Sequence, residues 1–365
     1  MRALVVTVVH HPDDARIRHR QIAALLAAGW TVTYAAPCTA YGVTPVRGGG
    51  LTTVDLPRAS GRRRTAALRA ARGLIAAQAA DHDVVLLHDP ELLLVAGAAA
   101  GTPVVWDVHE DTAAAVSMKP WLPSLLARPA NAAVRSVERA AEGRAGLLLA
   151  EDAYRFRFRH AHPVVPNTAL VPATVPPPDH PRVVYVGHLT RARGVVEMID
   201  LGRRLAGSGL RVELIGHADE SSTELLRAAD HEGVVTWHGF LPLASAMERV
   251  TGSLAGLSLL HDEPNYRHSR PTKVIEYLAQ GVPVITTPLP LARHLVAESG
   301  GGLVVGFGSS YAAASAVRTL WQHTDQRHAM GAAGHAYARR HLDWSVHAPG
   351  FVEALTSYAR PVSRP

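Results

Sequence analysis

Two series of alternating strand and helix signals, separated by a proline-rich segment, constrain the fold of this chain most strongly. The segment 163–181 holds seven prolines, which lack the backbone N–H that helices and central strands need. On both sides of it, short apolar runs of strand length are followed by helical patterns. This alternation predicts parallel strands with crossover helices, and therefore two doubly wound α/β domains with a ligand cleft between them.

The predicted strands place the ligand-binding loops, because buried parallel strands carry ligands at their carboxyl ends. After the first strand, Asp13 and Asp14 offer a helix cap, and Gly29 ends that helix. The apolar runs that we interpret as strands are 4–9, 31–35, 83–87 and 103–108 before the prolines, and 183–186, 211–215, 234–237, 256–260 and 283–286 after them.

Composition is typical of a soluble globular enzyme, with 365 residues, 47% hydrophobic and 19% charged. A formal charge of +6 permits nucleic acid, anionic lipid or phosphorylated ligands, but no aromatic-plus-basic signature favours nucleic acid. Cys38 is the only cysteine, which excludes an internal disulfide and favours a reducing cytoplasm. The first apolar run is too short for a signal peptide or membrane span, so we expect a cytoplasmic protein.

The basic and then alanine-rich segment 62–80 has two interpretations. It is either a solvated surface helix, or a patch that docks on the inner face of an anionic membrane.

One helix of the second half carries two cations, Arg270 and Lys273, in its predicted first turn. The amino end of a helix is already electropositive, so cations there are disfavoured. Two of them together indicate an anion such as a diphosphate. Glu276 follows one turn later, where a carboxylate could reach ribose hydroxyls, on the predicted polar face with Tyr277 and Gln280. The alternative is a buried helix with a polar stripe.

Several motifs together resemble the GT-B glycosyltransferases of family 4, the group 1 glycosyltransferases. They are Tyr185–Gly194, the helix Lys273–Gly281, Leu87–Leu93, Asp107–Asp111 and Met118–Pro123. The resemblance covers nearly the whole chain. It is closest to a bacterial subgroup whose members glycosylate polysaccharide precursors or small metabolites.

The resemblance implies an α/β GT-B architecture, with two Rossmann-like domains facing a cleft and a carboxyl-terminal helix crossing back to the first domain. We accordingly divide the chain into an acceptor-binding domain (1–165), a proline-rich linker (166–181), a nucleotide-sugar domain (182–342) and a crossover helix with tail (343–365).

The resemblance also implies roles for individual residues. Gly187 would let the backbone approach the donor, and Arg193 would hold its diphosphate. Thr272 and Lys273 would present the helix end to phosphate, and Glu276 would accept from ribose hydroxyls.

In the amino-terminal domain, His109 would contact the transferred sugar near the reacting carbon. Other residues are expected to bind the acceptor or line the cleft: His11, Asp13, Asp14, Arg16, Glu110, Asp111 and His268. One of the acids near His109 could be a base for the acceptor hydroxyl, but no single residue is assigned.

The sequence departs from the family pattern at three positions. His268 replaces the first glutamate of the family's pair, which leaves sugar preference open. His188 replaces an arginine, so phosphate neutralisation would depend on Arg270 or Arg191. Pro271 replaces a glycine and removes one amide donor.

These features predict a retaining glycosyltransferase that needs no metal and no cofactor beyond its co-substrate. It would move a sugar from a UDP- or GDP-sugar to a hydroxyl of a polysaccharide precursor, a lipid-linked sugar or a natural product. The alternatives are a nucleotide-sugar epimerase of the same fold and a non-catalytic nucleotide-sugar binding protein. A NAD-dependent dehydrogenase is disfavoured because no Gly-x-Gly-x-x-Gly follows either first strand. The histidine pairs at 10/11 and 160/162 lack the context of a metal site.

Overall fold

The computed structural model describes residues 1–109, 124–268 and 270–359, except for the side chains of residues 124–127. The chain forms two compact units, and both contain a mainly parallel sheet. Met1–Asn167 and His347–Pro365 make up the first unit, and Thr168–Val346 makes up the second. The prediction of two α/β domains is therefore confirmed.

The sheet of the first unit has seven strands in the order β3-β4-β2-β1-β5-β6-β7, parallel except for the edge pair β3–β4. Strand β1 sits between β2 and β5, so the chain switches direction across the sheet at β1 and β5. This switch point is where α/β sheets bind ligands. The strands are β1 (Arg2–Val6), β2 (Thr31–Ala36), β3 (Arg47–Gly48), β4 (Leu51–Asp55), β5 (Val84–Leu87), β6 (Val104–Val108) and β7 (Gly146–Leu149).

The helices of the first unit pack their apolar faces onto this sheet. They are a π-helix (Ile17–Ile22) running into α1 (Ala23–Ala27), α2 (Arg64–Gln78), α3 (Ser124–Glu142), and 3-10 helices at Thr39–Tyr41, Gly61–Arg63, Ala79–Asp81, Pro90–Ala99 and Asp152–Arg157. Helix α2 buries Ala67, Ala71 and Ile75 in the core of the unit. Its apolar stripe therefore packs against protein, which favours the surface-helix interpretation over membrane docking.

The sheet of the second unit has six parallel strands in the order β10-β9-β8-β11-β12-β13. Its switch point lies between β8 and β11. The strands are β8 (His180–Val186), β9 (Arg211–Ile215), β10 (Thr236–Trp237), β11 (Ser253–Ser258), β12 (Val284–Thr286) and β13 (Gly302–Val304).

Helices cover both faces of the second sheet. They are α4 (Val195–Leu205), α5 (Glu220–His231), α6 (Leu243–Val250), α7 (Pro264–Arg267), α8 (Thr272–Ala279), α9 (Pro290–Ser299), α10 (Ser310–Gln322) and α11 (Thr324–His341), with a 3-10 turn at Arg191–Arg193. The last helix, α12 (Trp344–Tyr358), begins in the second unit and continues into the first. Among the described helices, none is long and apolar enough to span a membrane.

The proline-rich segment is not a free connector. Ala169 pairs with the start of α12, donating to the Leu342 carbonyl at 2.9 Å and accepting from the Trp344 amide at 2.8 Å. The strand β8 already begins at His180, inside the segment that we predicted as linker. Within the segment, residues up to Asn167 belong to the first unit, and residues from Thr168 onward belong to the second.

The end of α12 belongs to the first unit. The Tyr358 hydroxyl donates to the Leu147 carbonyl at 3.3 Å. A Cβ on Gly146 would lie 2.6 Å from the Tyr358 ring, so this ring packs where only glycine leaves room. The crossing of the terminal helix back to the first domain is thereby confirmed.

Candidate functional site

A buried carboxylate organises the carboxyl end of the first sheet. Asp107, near the end of β6, accepts hydrogen bonds from Arg16 Nε and Nη2 at 2.7 Å each and from Gln21 Nε2 at 2.9 Å. Burial opposes its charge, but the charge and hydrogen bonds of Arg16 hold the pKa of Asp107 well below its usual range. Arg16 also donates to the Val165 carbonyl at 2.9 Å and to Asn167 Oδ1 at 3.1 Å. The predicted cleft arginine is therefore a buried partner of Asp107.

Three histidines lie beside this carboxylate. His88 Nδ1 is 3.3 Å and His109 Nδ1 is 3.6 Å from Asp107 Oδ2. Burial chiefly lowers the pKa of His88, so this ring is neutral at neutral pH. His109 Nε2 lies 3.0 Å from His10 Nε2. The predicted catalytic histidine thus belongs to a cluster at the switch point.

The contacts of His109 determine which nitrogens carry protons. Its Nδ1 lies 3.1 Å from the Asp107 carbonyl, which can only accept, so Nδ1 donates. Neutral His109 then accepts at Nε2, and His10 must donate from its own Nε2. His10 Nδ1 is left with a lone pair, 3.8 Å from Asp14 Oδ2. His10 Nδ1 can therefore accept a hydrogen bond.

Asp89 fixes the loop that carries His10. Its Oδ2 accepts from the Thr7 hydroxyl at 2.9 Å and from the Val8 amide at 2.5 Å, and its Oδ1 lies 3.3 Å from His10 Nε2. Asp14 accepts from the Arg16 amide at 2.8 Å, so it caps the first helical segment as predicted. Asp89 therefore orients His10, and Asp14 fixes the start of the helical segment that follows.

The remaining predicted cleft residues of the first unit lie at its edge. His11 accepts at Nδ1 from the Asp13 amide at 3.0 Å, and its ring centroid is 4.7 Å from that of Tyr41. Asp13 is exposed and pairs with His19 at 3.2 Å. Glu110 and Asp111 lie outside the described residues.

A cavity of about 510 Å³ opens on the histidine cluster. It has a polar end and an apolar wall. The polar end is formed by His10, His88, Asp89, Asp107 and His109, and the wall includes Leu93, Leu94, Trp106, Ala133, Val134 and Val137.

One group among the described side chains has the spacing of metal ligands: His88, Asp107 and His109 offer atoms within 4.8 Å of one another. Both oxygens of Asp107, however, already accept from Arg16. A divalent cation would have to share this carboxylate with a guanidinium, which repels it. The donor set therefore fits an ion pair better than a metal ion.

The second unit places a buried lysine at the carboxyl end of its central strand. Lys273, the second residue of α8, is 6% exposed, and its Nζ lies 5.0 Å from the centre of the Tyr185 ring. Burial and the charge of Arg193 lower the pKa of Lys273 to about 7, against the opposing effect of Glu276. An amine held in this state gains most from a ligand with negative charge.

Arg193 is the second cation of this site. It ends the 3-10 turn Arg191–Arg193, and its guanidinium lies 5.7 Å from the centre of the Tyr266 ring. Burial raises the pKa of Tyr185 to about 12 although Arg193 opposes this shift. Two cations that repel each other therefore lie at one strand end, an arrangement that favours a bound anion.

Two glycines let the backbone approach closely here. Gly187 follows β8 with φ 139°, and a Cβ on it would lie 3.5 Å from Lys273 Cε. A Cβ on Gly216, also at φ 139°, would lie 1.9 Å from the Gly187 carbonyl oxygen. A side chain at Gly216 is therefore excluded, and one at Gly187 would be strained by the positive φ of its backbone.

The helix α8 differs from the prediction in two respects. It begins at Thr272, so Arg270 precedes it and does not belong to its first turn. Burial and the neighbouring Glu298 raise the pKa of Tyr337 to about 12, and the charge of Arg270 opposes this shift. The predicted polar stripe is also wrong, because Tyr277 is buried. Its hydroxyl accepts a hydrogen bond from the Val186 amide at 3.0 Å.

Of the other residues predicted to bind the nucleotide-sugar donor, two belong to α8 and two lie outside it. Glu276 is half-buried and Thr272 is exposed. Desolvation and the charge of Arg193 lower the pKa of His188, so its imidazole does not replace the missing arginine charge at neutral pH. His268 is exposed just after α7.

Comparison with known families matches both units. Residues 168–337 match the family of glycosyl transferases group 1, and residues 15–168 match the glycosyl transferase 4-like domain. Together the two matches cover most of the chain. The chain belongs to the group 1 glycosyltransferases. No curated protein sequence matches this glycosyltransferase significantly.

Solved structures share the fold of this glycosyltransferase. Sucrose-phosphate synthase from Thermosynechococcus elongatus is 18% identical, with 98% of each chain covered and a TM-score of 0.77. Anabaena HepE in complex with UDP-glucose is 13% identical, with 98% of this chain and 100% of that chain covered and a TM-score of 0.72. AviGT4, a glycosyltransferase involved in avilamycin A biosynthesis, is 19% identical, with 98% of this chain and 97% of that chain covered and a TM-score of 0.62.

Sequence reasoning missed several residues of the glycosyltransferase. His88 and Asp89 follow β5 and belong to the motif Leu87–Leu93. Only the order of the strands in the sheet, however, brings them beside His10. In the second unit, His261 Nε2 lies 2.9 Å from Glu197 Oε1 near the turn that carries Arg193. The position of His261 just after an apolar run was a signal that could have been used.

Proposed function

We propose that this glycosyltransferase moves a sugar, with retention of anomeric configuration, from a UDP- or GDP-sugar to an acceptor hydroxyl. The second unit binds the donor and the first unit binds the acceptor. The observation that carries the proposal is the pair of cations, Arg193 and Lys273, at the carboxyl end of β8. The complex of HepE with UDP-glucose supports a donor of this kind in the same fold.

In this proposal the second unit stabilises the leaving diphosphate without a metal ion. As the sugar–oxygen bond breaks, negative charge grows on the phosphate oxygens, and preorganised cations stabilise that charge most effectively. Arg193 and Lys273 provide this positive charge, together with the backbone amides at the amino end of α8, which begins at Thr272. The backbone at Gly187 approaches the phosphates, and Glu276 accepts from the ribose hydroxyls.

The first unit positions the acceptor and the sugar carbon in this proposal. His109 lies beside the developing cationic sugar, where its backbone carbonyl and the nearby carboxylates stabilise positive charge. Its orientation is fixed by the Asp107 carbonyl on one side and by His10 on the other. Arg16 holds Asp107 and thereby acts as a positioning residue.

The pKa of Lys273 gives the donor affinity a pH dependence. With a pKa of about 7 in the free protein, half of the lysines are charged at pH 7. Because charge on Lys273 favours the diphosphate, the affinity for UDP-glucose should fall by about fivefold between pH 7 and pH 8, as the charged fraction falls. Calorimetric titration at both pH values measures this change. In the Lys273→Met variant the affinities at the two pH values should be equal, and equal affinities in the wild type would refute the role of Lys273.

A donor screen with product detection tests the whole proposal. We expect a UDP- or GDP-sugar to raise the melting temperature, and the best donor to give a glycoside whose anomeric configuration, measured by NMR coupling, matches that of the donor. Turnover should be unchanged in EDTA. A product of inverted configuration would contradict the retaining mechanism. An epimer formed from donor alone would instead indicate an epimerase.

A further inference from the structure

We infer that the acceptor is an uncharged apolar alcohol or phenol whose carbon skeleton occupies the 510 Å³ cavity of the first unit, with its hydroxyl at the histidine cluster. This inference rests on the proposed function and specifies the acceptor. The cavity volume lies in the range of small-molecule sites, which runs from about 300 to 1,000 Å³.

The wall of the cavity is apolar and partly exposed to solvent. Leu94 is 72% exposed and Val137 is 48% exposed. Large apolar side chains that face each other across an open cavity gain free energy when an apolar ligand removes them from water. The wall therefore favours a hydrocarbon or aromatic skeleton over a sugar.

A second cavity, of about 660 Å³, adjoins the first. The two share Leu93, Leu94 and Val137. The lining residues of α3 run from Ala133 to Ala141, a length of roughly 12 Å at 1.5 Å per residue. The shared wall thus has room for an elongated skeleton.

The polar end of the first cavity offers hydrogen bonds for a hydroxyl. Among the described residues, nothing bonds His88 Nε2, although this atom is buried. Buried polar atoms without partners are unfavourable, and a ligand hydroxyl can satisfy them. His10 keeps a lone pair at Nδ1 for the same hydroxyl.

The charges of the cavity exclude an acceptor that bears a diphosphate. Among the described lining residues, Arg64 is the only arginine or lysine, and it pairs with Glu91. The other charged lining groups are carboxylates: Asp89, Asp107 and Glu138. Asp107 is paired with Arg16 and Glu138 with Arg157, but the described contacts of Asp89 include no arginine or lysine. A phosphate next to the hydroxyl would therefore be repelled by the charge of Asp89. This electrostatic pattern selects a neutral acceptor and disfavours a lipid diphosphate.

Geraniol and geranyl diphosphate test the inference, because they share one apolar skeleton and differ only in the charged group. We expect saturable binding of geraniol, at least about tenfold tighter than that of geranyl diphosphate, since burial of an uncompensated charge is costly. Val137→Glu should weaken geraniol binding by about tenfold or more for the same reason. Val46→Glu is the matched control, because Val46 is 51% exposed in the same unit and does not line either cavity.

Each outcome has a defined meaning. Tighter binding of geranyl diphosphate, absence of geraniol binding, or an unchanged geraniol affinity in Val137→Glu would overturn the inference. Titration of the same samples with UDP separates this failure from failure of the proposed function. If UDP binds the wild type and geraniol does not, only the acceptor assignment is wrong, whereas absence of nucleotide binding contradicts the proposed function itself.

Discussion

Arg16→Met is expected to lower the free energy of unfolding of the first unit by about 3–5 kcal/mol, the usual cost of leaving one partner of a buried ion pair alone. In the wild type, both oxygens of Asp107 accept from Arg16, and the Asp107 side chain is fully buried. Methionine fills similar space but offers no donor. The carboxylate would then stay buried with Gln21 and the two neighbouring histidines as its remaining contacts.

Native-state hydrogen exchange of the β6 amides measures this change within the first unit. Arg159→Met is the matched control, because Arg159 is exposed in the same unit. We expect the control to stay within about 0.5 kcal/mol of wild type, as is usual for surface substitutions. A similarly small change for Arg16→Met would show that the pair with Asp107 does not support the fold.

Arg193→Met is expected to lower turnover by about 100- to 1,000-fold, the effect of removing one preorganised group that stabilises a transition-state charge. Under the proposed mechanism, Arg193 meets the leaving diphosphate together with Lys273. The neighbouring imidazole of His188 has a lowered pKa and supplies no charge at neutral pH. The loss should therefore appear in kcat as well as in the affinity for the donor.

Steady-state kinetics with the best donor measure this loss. Arg227→Met, an exposed arginine on α5 of the same unit, is the control and should retain wild-type turnover. The melting temperature of Arg193→Met should remain near that of wild type, which separates a catalytic effect from unfolding. Wild-type kcat in a folded Arg193→Met protein would remove this residue from the mechanism.

Much of the strand pattern was predictable because buried parallel strands are continuous apolar runs. The strand at 211–215 was predicted at its observed bounds. The first run was predicted as 4–9, but β1 ends at Val6. The Val8 and Val9 amides donate instead to Asp89, about 80 positions away. Such a partner cannot be recognised from local sequence.

The missed strands have weaker signals. Strand β7 (Gly146–Leu149) has only four residues, and a continuous apolar run this short cannot be told from buried helix by its pattern. Strand β13 has only three residues, Gly302–Val304. Pattern reasoning needs longer segments than these.

The candidate site was predictable only where local sequence determines it. The role of Lys273 could be predicted because cations are unusual at the amino end of a helix. The face of the same helix on which Tyr277 lies was predicted wrongly, as polar. In the structure, Tyr277 packs over Gly256, where a Cβ would lie 2.4 Å from the ring. Because Gly256, 21 positions away, has no side chain, the Tyr277 ring packs against it, and this face of α8 belongs to the core. Contacts of this kind depend on tertiary structure.

Calorimetric titration of UDP and GDP into the wild type and Glu276→Ala tests the central claim most directly, namely that the second unit binds a nucleoside diphosphate. We predict that at least one of the two nucleotides binds the wild type. In Glu276→Ala its binding should be weaker by about 1–3 kcal/mol, the scale of losing a charged hydrogen bond to ribose. If neither nucleotide binds the folded wild-type protein, or if Glu276→Ala binds it equally well, the claim is contradicted.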